Sequence, residues 1–206
     1  NNLDVQNDQV IRKDGDEGIS LKDLAQIVYY RGHELPPGTN AELIATASFS
    51  IEGIPFVFTN SAMGCLVDVD VDTGLTKIEK FWAVEDCGTQ INPKLVEEQI
   101  RGGVVQGIGG ALYEECIYDE MGNLTNGNMA DYLVPMAYEM PDIIVDHVTT
   151  NSGRSILGAK GAGEAGTGGA PGAIMNAIND ALIPLNTEVT SQPITPEKVL
   201  KALGKI

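Results

Sequence analysis

The chain has 206 residues and a formal charge of −16, from 13 Lys and Arg against 29 Asp and Glu. A chain of this length buries about 70% of its unfolded surface, so it can form a core without disulfides or metals. Its acidity makes nucleic acid and anionic lipid poor partners, because both require clustered Lys and Arg. No apolar run reaches the roughly 18 to 20 residues of a membrane span, and residues 1–18 do not resemble a signal peptide. We therefore expect a soluble protein without membrane insertion.

The three cysteines, Cys65, Cys87 and Cys116, form no C-x-x-C pair and are an odd number. This usage is typical of free thiols in a reducing compartment, and we expect the cytoplasm. Four cysteine ligands for an iron–sulfur cluster do not exist in this chain. With only two histidines, a zinc site would need scattered ligands to converge. No metal site built from side chains is predicted.

The first half of the sequence predicts a helix followed by a sheet. Ser20 and Asp23 form a capping-box-like S-x-x-D before an amphipathic run, which indicates a helix over Leu21–Tyr30. Residues 31–40 contain Pro36, Pro37 and Gly38 and are predicted as a loop. Strand-like runs follow, with a turn at 72–74 between the last two. The predicted strands are Leu43–Ile51, Pro55–Thr59, Cys65–Val71 and Leu75–Val84.

The second half predicts three helices separated by turns and extended segments. Asn92 is a favourable N-cap and Pro93 suits the first helical position, so a long helix is expected from Pro93 to about Glu115. The later segments are a turn-rich stretch at 119–128, extended stretches at 131–137 and 143–149, a helix over Ala170–Leu182 and a Thr195-capped helix through Leu203.

These elements predict an α+β fold, a mixed sheet region with packed helices. A chain of this length can form one large domain or a pair of small ones. A subdivision is also possible, into 1–92 with a helix and the sheet and 93–206 with the glycine-rich part.

The long predicted helix is unusual because glycines interrupt it, each costing about 0.8 to 1 kcal/mol relative to alanine. Gln99, Gly103, Gln106 and Gly110 are spaced by four, three and four residues and therefore share one face. Close packing of a neighbouring helix against small residues explains most such faces. The alternative is a flat face for a large polar ligand, to which the amides offer donors and acceptors.

A second glycine cluster runs from Gly158 to Gly169, and its residues 161–166 satisfy G-x-G-x-x-G. A dinucleotide-binding unit needs flanking strands and a later acidic residue at a strand end, which the remaining 40 residues do not provide well. Glu164 would also put a carboxylate where a pyrophosphate should lie. A carboxylate in a tight glycine loop indicates a positioned acid or base, whereas the simpler interpretation is an acid that complements a helix N-terminus.

Several of these segments resemble the C-terminal part of the molybdenum-binding subunit of the xanthine oxidase family, including aldehyde oxidases and aerobic carbon monoxide dehydrogenases. The resemblance covers about Leu21 to Leu203, with the motifs in the family's order. The segments that carry it are Asp86-Cys87-Gly88, Ile91-Asn92-Pro93, Gln99, Val105-Gln106-Gly107, Asp131 to Pro135 and Gly158 to Gly166.

The resemblance implies a role for individual residues. Glu164 matches the family's general base, which takes a proton from the attacking oxygen while the metal is reduced by two electrons. That oxygen derives from water, and the substrate is an aldehyde, an N-heterocycle or a similar small molecule. Gln99 matches a glutamine that hydrogen-bonds the pterin, and Lys160, Gly161, Ala162 and Gly163 match the cofactor-facing loop. The implied cofactor is molybdopterin with molybdenum, in its cytosine dinucleotide form, held through the pterin rather than by side chains.

The resemblance also implies partners, because the family's molybdenum subunit is several times longer than this chain. We expect the remainder of that subunit, an iron–sulfur subunit and a flavin subunit carrying FAD, and we expect the isolated chain to be inactive. The resemblance thus implies that 1–206 is the C-terminal portion of a molybdopterin-binding domain, either as a fragment or as a piece of a split subunit. Two alternatives stay open: a nucleotide-binding module that uses Gly161–Gly166, and a non-catalytic assembly subunit.

Overall fold

A computed structural model describes residues 2–15, 17–40, 42–51, 53 and 56–206. It divides the chain into two compact units, Asn1–Ser50 and Ile51–Ile206. The first unit holds a three-stranded antiparallel sheet, β1 (Leu3–Gln6), β2 (Gln9–Arg12) and β3 (Gly18–Ser20), in the order β1-β2-β3. Asn7 and Asp8 both have positive φ, which suits the twist of a two-residue hairpin between β1 and β2.

The first helix, α1 (Leu21–Tyr30), follows β3 directly. The Ser20 hydroxyl accepts a hydrogen bond from the Asp23 amide, 3.0 Å away, so the predicted capping residue does begin this helix. The helix ends at Tyr30, and a 3₁₀ turn over Gly32–Glu34 leads into the proline-containing loop. Both bounds of α1 agree with the prediction from the sequence.

The second unit is built on a mixed sheet of three strands, β4 (Asn60–Val69), β5 (Thr76–Asp86) and β6 (Asp142–His147). β4 and β5 form an antiparallel hairpin with a bulge at Leu66/Val67. β6 pairs with β5 in parallel, with Lys80 opposite Asp142 and Glu85 opposite His147. The central strand β5 therefore carries the ladder on both sides, and its C-terminal end leads to the site described below.

Three helices complete this unit: α2 (Pro93–Leu112), α3 (Ala165–Leu182) and α4 (Pro196–Ala202). Asn92 and Thr195 cap α2 and α4 through their side chains, as predicted. α2 packs on α3, and α3 packs on β4. The core between sheet and helices comprises Phe81, Ala83, Ile143, Ile100, Val104, Ile108, Ile174, Ile178, Leu182, Val189, Ile194 and Val199.

The α+β class is confirmed, but some predicted elements are wrong. Residues 42–51 form no strand, and neither do 56–59, while Pro55 lies outside the described residues. The segment 131–137 also lacks a strand and ends in a 3₁₀ turn over Ala137–Glu139. Strand propensity is realised only where a partner strand completes the ladder, and none pairs with these segments in the part of the chain that is described.

Two helix ends also differ from the prediction. α2 ends at Leu112 rather than near Glu115, because the amides of Tyr113 and Glu114 both turn back to the carbonyl of Gly109. α3 begins at Ala165, five residues before the predicted start at Ala170. Its first turn contains glycines that propensity alone assigns to a loop, but contact with α2 favours the helical conformation there.

Over the described ranges, no helix has both the length and the apolar composition needed to cross a bilayer.

Candidate functional site

The glycine-rich loop before α3 is attached to the end of β5. The Lys160 amide donates to the carbonyl of Cys87 over 2.7 Å, and Gly88 bridges to Ala159. Gly88 and Gly158 both have positive φ, and a Cβ on Gly88 would collide with the carbonyl of Gly158. A Cβ on Gly158 would lie 2.9 Å from Asn151 Cβ. Glycine is therefore needed at both positions, for its positive φ and for the close contacts around it.

The Asp86 carboxylate forms the polar centre of this attachment. Its oxygens accept from the amides of Gly88 and Thr150, each at 3.0 Å, from the Thr150 hydroxyl, and from Lys160 Nζ at 2.8 Å. Both side chains of the ion pair are largely buried, with 9% of Lys160 and 11% of Asp86 exposed. The Lys160 ammonium and then the Thr150 bonds hold the pKa of Asp86 well below its usual range. Asp86 is therefore ionised at neutral pH.

The segment 56–59 lies against the same loop from the other side. The carbonyl of Val57 accepts from the Gly161 amide at 3.3 Å, and the Thr59 hydroxyl donates to the carbonyl of Asp86 at 2.9 Å. Between this segment and the loop lies an open cavity of about 510 Å³, lined by Val57, Phe58, Thr59 and Gly161–Ala165. Most of the loop's contribution to this lining is backbone, because its side chains are Gly and Ala apart from one acid.

That acid, Glu164, occupies the N-cap position of α3 and is exposed at the cavity. Its side chain makes no capping hydrogen bond to the helix. Glu164 thus lies where a helix-end acid would lie, yet its carboxylate oxygens are not used for capping. The carboxylate is available to a molecule in the cavity.

The helix α2 packs against α3 through two of its glycines and carries two exposed glutamines. A Cβ on Gly103 would approach the backbone of Gly166 and Thr167 to 3.3 Å, and one on Gly107 would approach Ala170 Cβ to 2.7 Å. Close packing of α3 therefore explains these two glycines. Gln99 and Gln106 are exposed on the same helix, and a Cβ on Gly163 would lie 3.6 Å from Gln99 Nε2. The Gln99 amide is therefore next to the cavity loop.

The structure brings most of the predicted site residues together. Glu164, Gly161, Ala162 and Gly163 line one cavity, and Gln99 adjoins it. Lys160 is different, because its ammonium is directed to Asp86 and to Thr150 Oγ1, at 2.6 Å, instead of into the cavity.

Sequence reasoning missed the roles of Asp86, Thr150 and the segment 57–59. Asp86 and Lys160 are 74 residues apart, and no local pattern indicates that they pair. The motif Asp86-Cys87-Gly88 was the one sequence signal for this attachment, because a glycine shortly after a predicted strand indicates a close backbone contact at the strand end. The segment 57–59 was predicted as a strand, so no contact between it and the glycine-rich loop was expected.

The G-x-G-x-x-G stretch does not form a dinucleotide-binding unit. Such a unit needs a strand before the loop and a second parallel strand after the helix. Here 17 residues separate β6 from α3, and residues 183–206 contain no strand.

A profile of the family described as "Molybdopterin cofactor-binding domain" matches residues 1–141. The nicotine 6-hydroxylase large subunit of Paenarthrobacter nicotinovorans is 38% identical over 98% of this chain and 26% of its own length. This chain belongs to the molybdopterin-binding subunits of the xanthine oxidase family. The carbon monoxide dehydrogenase large chain of Afipia carboxidovorans is 35% identical over 84% of this chain and 21% of its own length.

Among solved structures, quinoline 2-oxidoreductase from Pseudomonas putida 86 superposes with a TM-score of 0.87 at 36% identity. The match covers 99% of this chain and 26% of that chain. The chain thus spans about a quarter of the length of these relatives. Its fold is the fold of the corresponding quarter of a larger subunit.

The loop at the cavity and the neighbouring Gln99 amide could hold the polar edge of a pterin cofactor. A Cβ on Gly161 would lie 3.8 Å from the Val57 carbonyl oxygen and one on Gly163 would lie 3.6 Å from Gln99 Nε2, so packing among the described residues does not itself require glycine at either position. The Gln99 amide supplies both a donor and an acceptor, as a heterocycle with mixed edges needs. The loop backbone and the Gln99 amide offer polar contacts, and Val57 and Phe58 add apolar surface, a combination that is typical of small-molecule sites.

Proposed function

We propose that this chain contributes the general base, Glu164, and part of the cofactor cradle of a molybdenum hydroxylase. The observation that carries the proposal is the position of the Glu164 carboxylate. It lies uncapped on the wall of a cavity whose loop lining is otherwise glycine and alanine. The substrate class we propose is an aldehyde, an N-heterocycle or a similar small molecule with an electron-poor carbon.

When bound, the molybdenum cofactor supplies two-electron oxidation, with the transferred oxygen deriving from water. Glu164 accepts the proton of that oxygen at a carboxylate oxygen, which makes the oxygen a better nucleophile. Gln99 donates to and accepts from the pterin edge, and Gly161 to Gly163 let the cofactor approach the backbone closely. Glu164 and Gly161 to Gly163 line the cavity, and Gln99 is exposed beside it.

Lys160 contributes to the same cradle in a less direct way. Its ammonium is held by Asp86 and Thr150, while its amide ties the loop to Cys87. We propose that Lys160 sets the position of residues 161–164 and that the cofactor contacts come from those residues themselves. A rigidly held loop is what a base requires, since proton transfer depends on a correct distance to the acceptor.

We also propose cofactors and partner subunits for the assembled enzyme. The cofactor is the cytosine dinucleotide form, and iron–sulfur clusters and FAD lie on partner subunits. The relatives' printed names support a multi-subunit enzyme, since they include a large subunit, a large chain and a dehydrogenase complex subunit. Three free cysteines support a reducing compartment, and we propose the cytoplasm.

Exchange of Glu164 tests the proposal in the complete enzyme. Glu164→Gln keeps the side-chain volume but cannot accept a proton at neutral pH, so turnover should fall by at least about 100-fold. Molybdenum and cytosine nucleotide contents should match the wild type. Glu188→Gln is the control, since Glu188 is an exposed acid of the same unit and its exchange should leave turnover within error. Full activity of the Glu164 variant would instead support a non-catalytic assembly role.

A further inference from the structure

Glu85, the neighbour of Asp86 on β5, is a carboxyl group for which the proposed reaction has no use. It is fully buried, with 0% of the residue exposed. Its Oε1 lies 3.2 Å from the Thr59 hydroxyl oxygen, and its Oε2 has no hydrogen-bond partner among the described residues. An ionised carboxylate in this position would be costly, because a buried charge needs a partner of opposite sign or several donors.

The Thr59 hydroxyl decides the direction of the hydrogen bonds. A hydroxyl has one proton to donate, and Thr59 Oγ1 lies 2.9 Å from the carbonyl oxygen of Asp86 but 3.2 Å from Glu85 Oε1. If the proton points along the shorter contact, the longer one requires a donor on the carboxyl group. Only a protonated Glu85 provides that donor. Burial also raises the pKa of Glu85, against the smaller effect of the Thr59 hydroxyl.

His147 provides the complementary group on the other side of Glu85. The two residues are paired in the parallel ladder of β5 and β6, so their side chains leave the sheet on the same face. His147 Nδ1 is buried and has no partner among the described residues. Glu85 Oε2 can only accept when Oε1 carries the proton, and Nδ1 donates in one tautomer. An unpaired acceptor and an unpaired donor therefore lie on adjacent residues.

We propose that Glu85 is held as a neutral carboxylic acid that donates to Thr59 Oγ1, accepts from His147 Nδ1 through one bridging water, and so positions the cavity wall opposite Glu164. Thr59 is the link, because it lines the cavity and its segment also binds Gly161 through Val57. Glu85 is thus a positioning residue that acts through Thr59. Asp86 and Glu85 are adjacent acids at the end of β5, but Asp86 is ionised and Glu85 is neutral. Asp86 holds the loop that bears Glu164, and Glu85 holds the segment that contains Thr59.

Other titratable groups on the surrounding elements leave this assignment intact. Cys87 follows on the same strand end, and burial raises the pKa of its thiol. Asp86 leaves the strand on the other face and is paired with Lys160. On α2, which packs on β6, Arg101 is paired with Glu97 and Glu98. β4 places Ser61 opposite Glu85. Within the described ranges, none of these side chains forms a hydrogen bond or ion pair with the Glu85 carboxyl.

Infrared spectroscopy of the complete enzyme tests the protonation state without using its activity. The difference spectrum between wild type and Glu85→Gln at neutral pH should show the C=O stretching band of one protonated carboxylic acid. In His147→Phe this band should move to higher frequency, because its carbonyl oxygen loses a donor. A difference spectrum that contains only carboxylate bands would overturn the proposal.

Thermal unfolding of the same variants gives a second, independent readout. A raised pKa stabilises the fold below the usual glutamate value, 4.5, and this contribution is lost as pH rises towards the folded-state pKa. Glu85→Gln does not titrate, so its Tm should exceed that of the wild type increasingly from pH 4.5 to neutrality. Glu188→Gln should show no such trend. A Tm difference that is constant or opposite in sign would contradict a neutral Glu85.

The positioning role rests on the proposed function and is tested at Thr59. Thr59→Val removes the hydroxyl and should lower kcat/KM by about 10- to 100-fold, as misplacement of a reacting group does. Thr59→Ser keeps the hydroxyl and should restore most of the loss. If Ser fails to restore kcat/KM, the hydroxyl is not the link. Failure of the proposed function would appear instead as an active Glu164→Gln enzyme with the infrared band still present.

Discussion

Asp86 and Lys160 are the residues that fix the loop bearing Glu164, although neither lines the cavity. Asp86→Asn removes the charge that Lys160 needs and weakens the contact between the loop and β5. We expect the variant enzyme to lose about 10- to 100-fold in kcat/KM, because the base is no longer held in place. Asp142→Asn is the control, since Asp142 is exposed on β6 and its exchange should change kcat/KM little.

The pH dependence of stability checks the same pair. The pKa of Asp86 is lowered from 3.8, so its stabilising contribution is complete above that value and is lost as pH falls through the folded-state pKa. The Tm difference between wild type and Asp86→Asn should therefore be constant around neutrality and shrink only under strongly acidic conditions. If the Tm difference already vanishes near pH 6, Lys160 does not hold the pKa of Asp86 below its usual value.

Gln99 is the residue whose amide we expect to contact the pterin. Gln99→Ala should weaken cofactor retention by about 2- to 13-fold, the effect of one hydrogen bond of about 0.5 to 1.5 kcal/mol. Gln106→Ala is a matched control, because Gln106 is exposed on the same face of α2 but further from the loop. Molybdenum content after extended dialysis measures the difference. Equal losses in both variants would remove Gln99 from the cofactor contacts.

At the scale of elements, the crossing of α2 and α3 depends on Gly166. A Cβ there would lie 2.6 Å from the amide nitrogen of Val104 and 2.7 Å from the carbonyl of Ile100. Gly166→Ala should therefore lower the free energy of unfolding by about 1 to 3 kcal/mol. Gly172→Ala lies on the same helix with open space around it and should raise it by about 0.4 to 1 kcal/mol. Tm values that move in the same direction would contradict this packing.

The elements also show what the sequence can predict. Helix starts at Ser20, Asn92 and Thr195 were correct because a cap is a local interaction between residues three apart. The strand predicted at 43–51 was wrong because pairing depends on a distant partner that the local pattern does not contain. The start of α3 was missed for the same reason, since only contact with α2 explains helical glycines.

The candidate site divides in the same way. Glu164 and the residues 161–163 could be proposed from one continuous motif, and the structure places them on one cavity. The Asp86–Lys160 pair and the Thr59–Glu85 contact join segments 74 and 26 residues apart. Their geometry arises from the sheet and its loops, so inspection of neighbouring residues could not find it.

At the scale of the whole molecule, the cavity is open and the chain spans 26% of its relative's length. Large apolar side chains are exposed beside it, including Phe56 at 61% and Phe58 at 75%, and such patches mark missing contacts. We predict that the 206-residue chain alone retains no molybdenum after gel filtration, whereas the complete enzyme does. Stoichiometric metal in the isolated chain would show that this portion forms a complete cofactor site.

The rate at which substrate reduces the molybdenum centre shows most directly whether Glu164 is the general base. Rapid-mixing measurements on the complete enzyme should give a wild-type rate that falls on acidification, because a protonated carboxyl cannot accept a proton. For Glu164→Gln we predict a rate at least about 100-fold lower at neutral pH, without that acid limb. A variant with full cofactor, a rate within about threefold of wild type and the same pH profile would contradict the account, because loss of a general base costs at least about 100-fold.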